Sequence, residues 1–282
     1  MEAIQNIVEI KTWSALCHRR GRRIGFVPTM GALHEGHLSL VRLAKQFSDH
    51  VAVSIFVNPL QFSAQEDLAQ YPQDLRSDFA LLEELDIDVV FVPNPREIFP
   101  PGFQTKVGVS ELSKNLCGKF RPHHFEGVAT IVLKLFHWVS PDIAVFGQKD
   151  YQQCRVIEQM VQDLHLDTSI LRGPIVREKD GLAMSSRNRY LNESERECAA
   201  HLYRALTLAK HLFEQGERQS DVFIHAVASY IRENMPSGQI QYIQICDALT
   251  LEDVVTIHKK CVLAVALFLG KARLIDNIEL DP

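Results

Sequence analysis

RIGFVPTMGALHEGHL, residues 23–38, reads as a short apolar run, a glycine-bearing turn and the opening of a helix that continues to Ala44. The same pattern recurs along the first half of the chain. VAVSIFV (Val51–Val57) leads into NPLQF, DVVFV (Asp88–Val92) into PNP, and IAVF (Ile143–Phe146) into GQKD. Apolar runs this short, bounded by turns and separated by helical periods, predict central strands of a parallel sheet. Helical spacing is legible at Leu75–Leu85, at Val128–Val139 with Phe125–Gly127 opening it, and at Gln152–Leu164. Strand and helix therefore alternate, which predicts an α/β, doubly wound, Rossmann-like domain. Ligands of such sheets bind outside the carboxyl ends of the strands, where the polar turns fall. Between Phe99 and Arg121 one further strand is expected at Thr105–Val109.

The texture changes after Leu171. RGPIVREKDGLAMSSRNRYLN (172–192) is polar and charged, as a mobile linker or loop would be. Two helical patterns follow: Glu193–Glu214, capped by Asn192 or Ser194, and Ser220–Glu233, stopped by Pro236. Runs at Ile240–Cys246, Val262–Leu269 and Leu274–Leu280 then predict three strands. The expectation is a Rossmann-like domain over residues 1–176 and a smaller α+β C-terminal lid domain over 177–282.

Composition bounds the function. With 30 Lys and Arg against 35 Asp and Glu, the net charge of −5 argues against a dedicated nucleic-acid binder. No run approaches the roughly 18 apolar residues of a membrane helix. Glu2, Glu9, Lys11 and Arg19 interrupt any signal-peptide core. Six scattered cysteines show no CxxC pair or zinc spacing, as expected of idle thiols in a reducing compartment. A cytoplasmic protein follows as the expectation, with neither nucleic acid nor membrane as a partner.

Within PTMGALHEGHL, Gly31 permits a tight turn and Gly36 a close approach of ligand to backbone. His34 and His37 are three apart and share a face at a helix start. That end also carries unpaired N–H groups and the positive end of the dipole, an anion site. Two imidazoles there can donate to phosphate oxygens as charge grows in a transition state. A metal reading of HxxH lacks a third ligand nearby, and neither GxxxxGK[ST] nor GxGxxG is present. In GQKD, Lys149 stands where it can reach phosphates at the neighbouring strand end. Met184–Arg187, MSSR, offers two hydroxyls and an arginine suited to closing on a triphosphate, although a surface loop with an ordinary arginine reads the same way. Asn58, Gln61 and Gln153 supply amides for a small polar substrate, and Arg121 can bind a carboxylate or stabilise the pocket. His123 and His124 can cap the helix that follows. Asp78 is a candidate magnesium-side carboxylate.

Taken together, PTMGALHEGHL, VSIFVNPLQF, LCGKFRPHHFEGVATIV, FGQKDYQQ and REKDGLAMSSRNRYL closely resemble the pantoate–β-alanine ligase (pantothenate synthetase) family. HEGH also matches the HxGH signature of a wider nucleotidyltransferase superfamily. The resemblance implies that ATP, with Mg2+, adenylates pantoate, and that β-alanine then displaces AMP. It implies an ATP site of Met30, Gly31, Ala32, Leu33, His34, Glu35, Gly36, His37, Gly147, Gln148, Lys149, Asp150, Val176, Met184, Ser185, Ser186 and Arg187, with His37 as proton donor. His34, Lys149 and Arg187 join it in charge stabilisation. Gln61 would contact both pantoate and β-alanine, and Gln153 pantoate. Gln148 departs from the Glu that many relatives carry. A homodimer is implied as well. Two other readings stay open at this point: another HxGH enzyme acting on a phosphorylated acceptor, and a non-catalytic nucleotide-binding protein.

Overall fold

The computed structural model describes residues 1–63 and 66–282. Two compact units divide the chain. The first comprises Met1–Ser110, Arg121–Gln148 and Gln153–Pro174, and the second Glu111–Phe120, Lys149–Gln152 and Ile175–Pro282. No single cut along the chain expresses this arrangement.

Among the described residues the first unit is built on one six-stranded sheet of β1 (Glu2–Ile4), β2 (Ile24–Thr29), β3 (His50–Ile55), β4 (Val89–Phe91), β5 (Ile143–Gly147) and β6 (Ser169–Gly173). The order is β1-β4-β3-β2-β5-β6, and every pairing is parallel. From β2 the chain steps outward through β3 to β4, and then restarts on the other side of β2 with β5 and β6. The order thus reverses between β2 and β5, a switch point that opens a crevice at the carboxyl ends of those strands. Parallel strands covered on both faces bury nearly every side chain, which explains the continuous apolar runs of β2 and β3. The connecting helices are α1 (Ile7–Arg19), α2 (Glu35–Phe47), α3 (Leu75–Glu84), α6 (His124–Val139) and α7 (Tyr151–Asp163), with a short α4 (Pro95–Ile98) after β4. Helix α2 buries Leu38, Leu40, Val41 and Ala44 on one face, the stripe expected of a helix lying on a sheet.

In the second unit α8 (Glu193–Ala199), α9 (His201–Glu214) and α10 (Ser220–Asn234) accompany an antiparallel sheet ordered β7 (Gln239–Asp247), β8 (Cys261–Leu269) and β9 (Ala272–Leu280). Leu206, Phe223, Val227, Ile231, Leu263 and Val265 form its core. The five-residue α5 (Leu116–Phe120) also belongs here.

Three expectations are corrected. Thr105–Val109 is not a strand: the Val107 N–H donates to Thr130 Oγ1 on α6 at 2.9 Å, so this segment is pinned by a helix side chain. The single helix 193–214 is two, because the hydrogen-bond ladder breaks at Ala200. With φ −61° and ψ −23°, Ala200 stays right-handed, so the apolar period runs on across a break it cannot signal. MSSR is not an unstructured loop: Ser186–Tyr190 form a 3-10 helix capped by Ser185. The six cysteines are free, four of them buried. No described helix is long and apolar enough to cross a membrane.

Candidate active site

The turn between β2 and α2 is held from three sides. Thr29 Oγ1 donates to the Ser54 carbonyl at 2.8 Å and accepts the Gly31 N–H at 3.2 Å. Asp78, brought in by α3, accepts the Ala32 N–H at 3.0 Å and the Leu33 N–H at 2.7 Å. Gly31 (φ +83°) and Ala32 (φ +50°) are both left-handed, a conformation that needs such support. A Cβ on Gly31 would stand 2.9 Å from Asp78 Oδ2, so glycine is required there by space as well as by φ.

His34 is the N-cap of α2, and its Nδ1 accepts the Gly36 N–H at 3.1 Å. An accepting Nδ1 assigns the ring proton to Nε2, the tautomer in which Nε2 can donate. The His37 ring lies 4.1 Å away, centroid to centroid, at an interplanar angle of 39°. The expected pairing of the two rings on one face is therefore present. Most of the N–H groups around this helix start are already bonded. Those of Ala32 and Leu33 go to Asp78, that of Gly36 to the His34 ring, and those of His37 and Leu38 to the His34 carbonyl.

Gln61 bonds the turn after β2 from the NPLQ segment. Its Nε2 donates to Met30 Sδ at 2.9 Å and its Oε1 accepts from Asn58 Nδ2 at 3.1 Å. Asn58 is 1 % exposed and also bonds the Gly127 carbonyl and the Leu60 N–H, so it shapes the NPLQ turn from within. The Gln61 carbonyl receives His124 Nδ1 at 2.8 Å and Arg121 at 3.2 Å. Arg121, 13 % exposed at its side chain, pairs with Glu66 through contacts of 2.5 and 2.8 Å. Burial by itself pushes the Glu66 carboxyl up, but the Arg121 guanidinium outweighs it and holds the group below its ordinary value. The arginine expected to take a substrate carboxylate thus already holds a protein carboxylate. His124 opens α6 and His123 makes no side-chain cap.

A cavity of about 400 Å³ opens beside the turn, lined by Met30, Gly31, Phe56, Asp74, Leu75 and Asp78 among others. Gly147 ends β5, the strand paired with β2 across the switch point, and Gln148 follows it. Gln153 lies half-buried in the first turn of α7.

The remaining expected ATP residues belong to the second unit. There the Met184 N–H donates to the Val176 carbonyl at 3.0 Å, joining two segments of that set. Asn277 Nδ2 on β9 holds the Lys149 carbonyl at 3.0 Å. Its neighbour Asp276 pairs with Arg177 through contacts of 2.6 and 3.0 Å, and Arg177 stacks on Tyr203 at 3.8 Å. Consecutive residues of β9 therefore anchor both the Lys149 backbone and the residue after Val176. Arg187 lies in the 3-10 helix, its N–H bonded to Ser185 Oγ at 3.3 Å. Glu66, Asp276 and Asn277 carry no local signature, because each acts on a residue far along the chain.

Comparison with known proteins identifies the family. The family described as pantoate-beta-alanine ligase matches residues 2–279. A pantothenate synthetase of Sulfurihydrogenibium sp. (strain YO3AOP1) is 50% identical over 279 residues, covering 99% of this chain and 100% of that protein. One from Caldicellulosiruptor bescii is 50% identical over 281 residues, covering 100% and 99%. The crystal structure of pantothenate synthetase from Thermus thermophilus superposes with a TM-score of 0.94 at 40% identity over 100% of both chains. That of pantoate-beta-alanine ligase from Francisella tularensis, complexed with β-γ ATP and β-alanine, gives 0.80 at 35% identity, covering 99% and 97%.

Proposed function

This chain belongs to the pantoate–β-alanine ligase family, and we propose from that premise that it condenses pantoate with β-alanine in an ATP-driven reaction, through a pantoyl adenylate. In the first step a pantoate carboxylate oxygen bonds to the α-phosphorus and the bond to the bridging oxygen breaks, releasing pyrophosphate. In the second the β-alanine amine attacks the acyl carbon, sheds a proton, and AMP leaves with its phosphate oxygen.

The observation that carries this reading is the imidazole pair His34–His37 at the N-terminus of α2, at the switch point of the sheet. The first step piles negative charge onto phosphate oxygens and needs no strong base, so fixed donors and cations are what the site must supply. His34 Nε2–H is one such donor, and the proposal gives His37 the same task and that of the family's proton donor. Lys149 and Arg187 are proposed to add the positive charge. Gln61 and Gln153 are the proposed amide contacts for pantoate, with Gln61 also meeting β-alanine. A cytoplasmic homodimer is part of the proposal.

Magnesium is proposed to enter as part of the MgATP substrate. Among the described residues no group of three or more His, Cys, Asp or Glu side chains could hold a metal ion. Asp78 directs both oxygens at backbone N–H groups. These residues do not form a cage for a resident ion, in keeping with the preference of Mg2+ for phosphates and water.

An assay that omits ATP, pantoate and β-alanine in turn tests the function. AMP should form steadily only with all three. Pyrophosphate should appear in a single stoichiometric burst when β-alanine alone is missing. Pyrophosphate release driven by a phosphorylated acceptor without any amine would refute the ligase reading.

A further inference from the structure

We infer that Asp78 is a positioning residue for adenylyl transfer, and that it acts by fixing the backbone of the Gly31–Leu33 turn. The inference rests on the proposed role of that turn in binding ATP. Asp78 is 2 % exposed and lies on α3, 46 residues from Ala32 and 45 from Leu33. Its two oxygens address two consecutive N–H groups, Oδ2 that of Ala32 and Oδ1 that of Leu33. Charge-assisted bonds of this kind are about twice as strong as neutral ones. They also satisfy two buried N–H groups that would otherwise cost free energy.

The turn needs this hold. Gly31 and Ala32 are consecutive left-handed residues, and in Ala32 the Cβ makes that conformation costly. Immediately downstream is His34, whose ring caps Gly36 through Nδ1 and leaves Nε2 for the proposed donor role. A displaced Leu33 would carry the cap and both imidazoles with it. Asp78 itself never needs to touch the nucleotide. The same geometry explains why an acid on a helix face is buried: its ligands are the protein's own N–H groups, which take the place a cation would fill.

Asparagine at this position keeps one accepting oxygen but turns an NH2 group toward a backbone N–H. Asp78→Asn should therefore lower the single-turnover rate of pyrophosphate release by about 10²-fold, the effect of a small misplacement of reacting groups. The pantoate KM, which depends on a different turn, should stay within about twofold of wild type. Raising Mg2+ should not restore the rate. A magnesium ligand predicts the reverse, and recovery at high Mg2+ would overturn the inference.

Hydrogen exchange on the wild-type enzyme supplies a readout that depends on neither folding of a variant nor activity. The Ala32 and Leu33 amides should be strongly protected without nucleotide, and in a folded Asp78→Asn they should exchange faster while amides of β5 do not change. Fast exchange of both in the wild type would overturn the inference. Should the wild-type enzyme release no pyrophosphate, the functional proposal fails, and the exchange result still decides whether Asp78 holds the turn.

Discussion

The Leu33 N–H reaches the Asp78 carboxylate at 2.7 Å across 45 residues of sequence, tying the first helical turn of α3 to the loop that begins α2. The imidazole pair therefore does not depend on local sequence alone for its place. Thr29 fixes the start of the loop, Asp78 its middle and the His34 ring its end. Under the proposed function, a loop fixed in this way would hold its donors ready for the transition state, with little reorganisation needed as charge develops.

Removing either proposed donor should slow the first step without unfolding the protein. His37→Ala and Lys149→Ala are each expected to reduce adenylation by about 10²–10³-fold, the usual loss for a transition-state donor. Rapid-quench measurement of pyrophosphate from pantoate and ATP reads this directly. Full single-turnover activity in either variant would remove that residue from the mechanism.

His34 has two tasks that substitution can separate. It caps α2 and also presents Nε2–H, so His34→Ala should lose both, including about 0.5–2 kcal/mol of cap stability. Asparagine is a favoured cap with no imidazole. His34→Asn should therefore recover most of the melting temperature while adenylation stays as slow as in the alanine variant. Recovery of the rate along with stability would show that the cap, and not the ring donor, is what matters.

Much of this is legible in the sequence because it is local. Apolar runs at Phe26, Val53, Val90 and Val145 mark strands buried on both faces, and the glycines and histidines of PTMGALHEGHL mark the turn after β2. β1 leaves no such mark, being three residues long, and neither does β6, whose SILRG runs into a polar segment. Helix α1 is not among the sequence expectations either, although Asn6 caps it by accepting the Glu9 N–H at 2.8 Å. In the site, residue types are readable but their partners are not. Arg121 reads as available for a substrate, yet Glu66 sits on it; Asp78 reads as a metal ligand, yet its oxygens are on Ala32 and Leu33. The N–H groups of Ala32 and Leu33, just before α2, are taken by the same kind of contact. Hydrogen bonds spanning 45 or more residues leave no period or spacing to read.

Gly127 tests how tightly the NPLQ turn is seated. A Cβ there would stand 2.3 Å from the Leu60 carbonyl oxygen, a backbone atom that cannot swing aside. Gly127→Ala should destabilise by about 1–3 kcal/mol, as overpacking does. Any shift of Leu60 also moves Gln61, so the pantoate KM should rise as well. Calorimetric melting and initial-rate kinetics check the two effects separately. An unchanged KM alongside lowered stability would show that Gln61 is not placed by this contact.

The Arg121–Glu66 pair should show itself in the pH dependence of stability. Burial raises the Glu66 carboxyl, but Arg121 brings the net value below that of an ordinary glutamate. The folded state therefore binds that proton less readily than the unfolded chain. The contribution is fully present above the unfolded value of about 4.3, and it is lost as pH falls through the lower folded value. Arg121→Met removes the strongest lowering influences and leaves burial, the largest single one, opposed only by the Ser63 N–H and the His124 charge, so Glu66 is expected to rise and its charge to become a cost at neutral pH. Melting temperature measured from pH 7 down to about 3 should fall for the wild type and fall less for Arg121→Met, from a lower starting point. Glu66→Gln in the Arg121→Met background should recover part of the neutral-pH loss, because it takes away the uncompensated charge. Parallel melting curves for all three proteins would mean that this pair adds nothing to stability. The pantoate KM of Arg121→Met would then be the remaining measure of what Arg121 does at the Gln61 carbonyl.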